Sequence, residues 1–152
     1  MRQDPKKLIE DFVRVAALAG MPIAAEDIRH ESVPAPHKSQ TLPRGFSAVY
    51  IFSLAADDRI VLKVGKVGPK SNARFTSHHY LPSRAKSTVG ASILGATERW
   101  PELGITIQLD ESNIGAWLFA NTARDHFFLK GSQLTHLLEA FLQCRLNPLF
   151  EG

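Results

Sequence analysis

The chain has 152 residues, 44% of them apolar and 22% charged, with a formal net charge of +3. That is the length of one domain able to bury its own core, and the composition excludes a fibrous or disordered chain. Cys144 is the only cysteine, so an internal disulfide and a thiolate zinc cluster are excluded; with no long apolar run and no signal-peptide core, a cytoplasmic protein is expected.

Residues 4–19 read as an amphipathic helix, with Asp4 as its cap and Pro5 in its first turn. Leu8, Ile9, Phe12, Val15, Ala16 and Ala19 share one face, which either docks on the core or pairs two copies into a homodimer. Residues 21–45 carry Pro22, Pro34, Pro36 and Pro43 and lack helical or strand periodicity. They are expected to wrap the domain as an extended arm, anchored by Ile23, Ile28, Val33 and Leu42. Ala48-Val49-Tyr50-Ile51-Phe52 and Arg59 to Val64 read as two strands of an antiparallel hairpin turned at Asp57-Asp58. Gly65-Lys66-Val67-Gly68-Pro69 is expected to break the sheet. Ser71 or Asn72 then caps a helix that places Arg74 and His78, four apart, on one face.

The spacing of Val89, Ile93 and Leu94 predicts a helix over 87–97, and residues 105–109 fit a short strand or a loop. A helix capped by Asp110 or Ser112 runs to Asn121, and His126-Phe127-Phe128-Leu129 reads as a third strand. Gln133 to Leu146 is the clearest helix, with Leu134, Leu137, Leu138, Phe141 and Leu142 inward and Cys144 placed in the core. The fold class is therefore α/β (α+β): a small, mainly antiparallel three-stranded sheet flanked by helices. Residues 1–44 add a helix and a Pro-rich arm to a domain spanning 45–152.

Charge is concentrated in one window. Arg59 to Lys86 holds seven Lys or Arg and no acid, while the rest of the chain holds eleven basic and fifteen acidic side chains. A hairpin and helix so loaded suit a phosphate-rich partner. Two other motifs fail. Gly65 to Ser71 resembles a phosphate loop, but Pro69 stands where glycine must precede the Lys-Ser pair. His78 and His79 point about 100° apart on a helix and cannot chelate one ion together.

The remaining pieces resemble the GIY-YIG nuclease superfamily over roughly Gly45 to the C-terminus. Val49-Tyr50-Ile51 stands where its first motif ends, and Lys63-Val64-Gly65 where Tyr-Ile-Gly stands, followed by Lys66. Arg74 matches the family's helix arginine, His78 a histidine found four residues after it in some members, Glu139 the metal-binding glutamate and Asn147 the C-terminal asparagine. Lys63 in place of the motif tyrosine is a departure.

The resemblance implies a metal-dependent endonuclease that hydrolyses phosphodiester bonds in DNA by a one-metal mechanism. Its catalytic residues are Tyr50, Lys63, Lys66, Arg74, His78 and Glu139. Tyr50 is the general base, its pKa lowered by Lys66 or Lys63. Glu139 holds Mg²⁺ (or Mn²⁺), Arg74 grips the phosphate, and His78 orients water or protonates the leaving oxygen. Lys70, His79, Tyr80, Arg84, Lys86 and Asn147 are expected to bind flanking nucleic acid. The alternative is a module of the same fold that binds nucleic acid or a protein partner and no longer cleaves.

Overall fold

Asp4 starts the fold by accepting a hydrogen bond from the Lys6 N–H at 3.0 Å, and Pro5 opens helix α1 (Pro5–Leu18). In the computed structural model, residues 3–85, 87–131 and 133–150 are described. After α1 come β1 (Arg29–Val33), β2 (Phe46–Leu54), β3 (Val61–Val67) and the short helix α2 (Asn72–Thr76). Helix α3 (Val89–Gly95), helix α4 (Ile114–Asn121), strand β4 (Thr122–Lys130) and helix α5 (Gln133–Leu146) complete the chain. The architecture is α+β.

The sheet has four strands rather than the expected three, in the order β1-β4-β2-β3 and antiparallel throughout. The added strand comes from the Pro-rich arm. Arg29-His30-Glu31-Ser32-Val33 pairs with β4, with His30 opposite Phe127. It is an outer strand with no buried residue, so it carries none of the apolar alternation that marks a strand in sequence. Nor does Gly65-Lys66-Val67 break the sheet. Those residues continue β3, where Gly65 faces Tyr50 and Val67 faces Ala48.

The register sends alternate side chains to opposite faces. On one face Val49, Ile51, Val64, Phe127 and Leu129 pack under α1 and α5, with Phe12 and Phe141 ring centroids 5.8 Å apart. The apolar face of α1 is thus buried within the chain. On the other face Ala48, Tyr50, Phe52 and Phe128 meet Phe75, Val89, Ile93 and Ile114. Gly90 lets α3 approach closely there, since a Cβ on it would sit 2.5 Å from the His79 carbonyl oxygen.

The chain end returns to the outer edge of β3. The Leu149 and Phe150 N–H groups donate to the Val61 and Leu62 carbonyls at 2.8 and 2.9 Å. Further along that edge, the Gln143 amide reaches the Val64 carbonyl at 3.5 Å. Cys144 is exposed rather than in the core, because it lies outside the buried stripe of Thr135, Leu138 and Leu142.

Candidate active site

At the β3 edge, side chains from both faces of the sheet meet around a cleft of about 300 Å³. Tyr50 on β2 and Lys63 on β3 project from one face and form its floor, being 1% and 2% exposed. Lys66 on β3 and Glu139 and Gln143 on α5 enter from the other face, and Arg74 on α2 with Ser87 closes the third side. Five of the six residues expected to be catalytic therefore line one concavity: Tyr50, Lys63, Lys66, Arg74 and Glu139.

Why Tyr50 sits where it does is a matter of register. Gly65 lies directly across from it, and the phenol ring lies over the glycine. A Cβ on Gly65 would come within 2.6 Å of Tyr50 Cζ and closer still to the hydroxyl. His79 packs edge-on against the other side of the ring, with centroids 4.7 Å apart.

Among the described residues, three cations and one carboxylate face the cleft. The Lys66 ammonium donates to a Glu139 carboxylate oxygen. Arg74 donates from Nη2 to the Ser87 hydroxyl at 2.5 Å and to its carbonyl at 3.0 Å. Two cationic donors are left over. Lys63 Nζ and Arg74 Nε are buried and have no hydrogen-bond partner. Burial, and after it the Arg74 charge, pushes the Lys63 pKa down.

Tyr50 departs from expectation. Burial raises its pKa, and the groups that pull against burial are Arg74 first and then Arg124, not the lysines. The phenol is neutral at rest. Arg124 lies behind it, fully buried, donating from Nη1 and Nη2 to the Phe75 carbonyl at 3.1 Å and from Nη1 to the Tyr80 hydroxyl at 3.0 Å. It anchors the end of α2 and so helps to place Arg74.

The other expected site residues fall elsewhere. Helix α2 stops at Thr76, and Ser77 (φ −133°) turns the chain into a 3₁₀ turn over His78–Tyr80, so His78 does not share a helical face with Arg74 and does not line the cleft. His79 and Tyr80 are core residues rather than phosphate contacts. His79 Nδ1 accepts from the Val89 N–H at 3.2 Å, and burial holds the ring well below its usual pKa and neutral. The Tyr80 hydroxyl bonds His37 Nε2 at 2.8 Å, and its ring stacks on Phe119. Lys70 and Arg84 are exposed and outside the cleft, and Lys86 lies outside the described residues. Asn147 also lies off the cleft. It ends α5 with φ +47°, its N–H bonded to the Gln143 carbonyl at 3.0 Å, which is a helix stop that asparagine tolerates.

Gln143, not among the residues expected at the site, lines the cleft instead. Its signal was present in the sequence, since it stands one helical turn after Glu139 on the same face. Ser87, in a loop between short elements, gave no such signal.

Among the described residues, no group of three His, Cys, Asp or Glu is placed to hold a metal ion. Glu139 with the neighbouring Gln143 amide is a hard-oxygen donor set of the kind Mg²⁺ accepts, since Mg²⁺ keeps several waters and takes other oxygens from phosphate. The residues fit that ion and not a caged zinc. Comparisons of the chain with protein-family models, curated proteins and solved structures found no match.

Proposed function

We propose that the protein is a metal-dependent endonuclease of GIY-YIG type that hydrolyses phosphodiester bonds in DNA. One observation carries the reading: buried, unpartnered Lys63 Nζ and Arg74 Nε face a cleft that also holds Tyr50 and Glu139. A buried ammonium without a hydrogen-bond partner is costly, and an anion placed in the cleft would satisfy both Lys63 Nζ and Arg74 Nε. A phosphodiester is such an anion, with the further oxygens that Lys66 and the rest of the Arg74 guanidinium can bind.

Each side chain then has a task. Arg74 and Lys63 bind non-bridging oxygens and oppose the negative charge that grows on the pentavalent phosphate. Tyr50 first releases its own proton to solvent, and the resulting phenolate holds the attacking water and takes its proton, returning to the phenol as the hydroxide oxygen bonds phosphorus; Arg74 and Arg124 favour that phenolate against the effect of burial. Gly65 and His79 fix the ring for that transfer. Glu139 would hold the Mg²⁺, which supplies charge against the phosphate and leaving oxygens. Lys66, paired with Glu139 at rest, holds that carboxylate turned into the cleft.

A second reading draws on that same pair. With Lys66 occupying Glu139 and Tyr50 neutral, the cleft could bind nucleic acid without cutting it. Incubation with plasmid and with short single-stranded DNA, in Mg²⁺ or in EDTA, separates the two. Cleavage in Mg²⁺ alone is expected; retention of both substrates on the protein without cleavage in Mg²⁺ would favour the binding module.

A further inference from the structure

Beside the cleft, and sharing Lys66 and Arg74 with it, lies a second hollow of about 180 Å³. Its other walls are Gly68 and Ser71 after β3 and Thr135 and His136 in the first turn of α5. Thr135 is 2% exposed and its hydroxyl has no hydrogen-bond partner. A threonine that merely filled the core would do as well as valine, so a buried hydroxyl with nothing to bond needs a reason. The neighbourhood supplies one. Helix α5 is fourteen residues long and has no acidic residue in its first turn, so the positive end of its dipole is unopposed there. Arg74 reaches the same hollow, and its Nε is also unpartnered.

We propose that this hollow is a second phosphate subsite, which takes the phosphodiester flanking the one held in the cleft. The assignment rests on the nuclease reading for the identity of the ligand, but not for the existence of the anion site. Lys66 and Arg74 stand between the two subsites and touch both. The Thr135 hydroxyl and the first turn of α5 meet the flanking phosphate from one side, and His136 meets it from the rim. A substrate that fills both must offer consecutive phosphates along one strand, which separates a polynucleotide from a nucleotide or a simple phosphate diester.

The test uses the whole protein in EDTA, with inorganic phosphate and then a short DNA oligonucleotide as probes, followed by amide chemical shifts. Phosphate should shift the amides of Gly68, Ser71, Thr135 and His136 in addition to those around Glu139 and Gln143. His136→Ala changes an exposed side chain, and Thr135→Val keeps the buried shape, so both should fold with wild-type melting temperature. Each should weaken phosphate at the α5 amides by about tenfold, leave the Glu139–Gln143 response unchanged, and weaken the oligonucleotide by a similar factor. Absence of shifts at the α5 amides, or equal phosphate affinity in both variants, would overturn the subsite. Weakened phosphate with unchanged oligonucleotide affinity would overturn its assignment to a flanking phosphodiester. Phosphate shifts at α5 in a protein that cuts no DNA would sink the nuclease reading and leave the anion site standing.

Discussion

Gly65 and Lys63 sit two residues apart on β3 and show how much of the cleft a single residue can set. Gly65→Ala would drive a methyl group into the Tyr50 phenol. The ring must tilt away, and a displacement near 1 Å of a reacting group can cost about 100-fold in rate. The variant should fold, lose about 1–3 kcal/mol from overpacking, and cleave about 100-fold more slowly with nearly unchanged DNA affinity. Cleavage assays, chemical denaturation and binding isotherms check each part. For Lys63 the sign runs the other way. Its folded pKa lies below the unfolded value of 10.5, so the unfolded chain binds the extra proton and folding is penalised wherever the lysine must be buried charged. That penalty is full below the folded pKa and fades as pH rises toward 10.5. Lys63→Met should therefore raise the melting temperature at pH 7, with a gain that shrinks as the pH rises toward 10.5, while DNA binding weakens. A melting temperature lowered at pH 7 would show that the ammonium has a stabilising partner. Residue identities were legible in the sequence, but the chemistry of Tyr50 was not. The nearby lysines suggested a lowered pKa, whereas burial beneath His79 and against Gly65 sets it high.

Elements were legible where one face was plainly apolar. Helix α5 spans the predicted Gln133–Leu146, α1 starts at its Asp4 cap, and the β2–β3 hairpin turns at Asp57, whose side chain accepts from the Arg59 N–H at 3.1 Å. Helix α2 was over-extended because Arg74 and His78 have helical spacing, while Ser77 and a buried His79 dictate a tighter turn. Strand β1 was missed because its partners, not its own residues, make it a strand. The elements outside the expected nuclease domain nevertheless belong to its core. Phe12 on α1 is fully buried against the sheet and Phe141. Phe12→Ala should cost about 3–5 kcal/mol of stability, read as a lowered denaturation midpoint, with the cleft chemistry unchanged in the fraction that remains folded.

Across the whole molecule, the six described basic residues of the 59–86 window do not act as one patch. Lys63, Lys66 and Arg74 face the cleft, Arg59 is tied to Asp57 at 2.6 Å, and Lys70 and Arg84 stand apart on the surface. With three cations against phosphates, the logarithm of DNA affinity should fall against the logarithm of salt with a slope of about −3. A flat response would remove the cleft from the binding surface. Buried histidines give the protein a second global property. Burial, with Arg124 nearby, depresses His126 to about 2, and burial also lowers His37 and His79. Protonation of these rings is disfavoured in the fold, and they take up protons more readily when it opens. Stability is therefore complete above pH 6.5 and is lost as pH falls below it. His126 alone should cost about 2 kcal/mol by pH 5. Denaturation midpoints between pH 7.5 and 5 should show that loss, and His126→Phe should reduce it.

The claim that joins these scales is that Glu139 serves hydrolysis rather than merely pairing with Lys66. Glu139→Gln keeps the size of the side chain and its place on α5 but removes the charge. The direct measurement is DNA cleavage by the variant and by the wild type at matched Mg²⁺, with affinity for the same DNA determined in parallel. The account predicts that cleavage collapses while affinity holds or rises, since one negative charge leaves a surface that faces phosphates. Equal cleavage by the two proteins would contradict it.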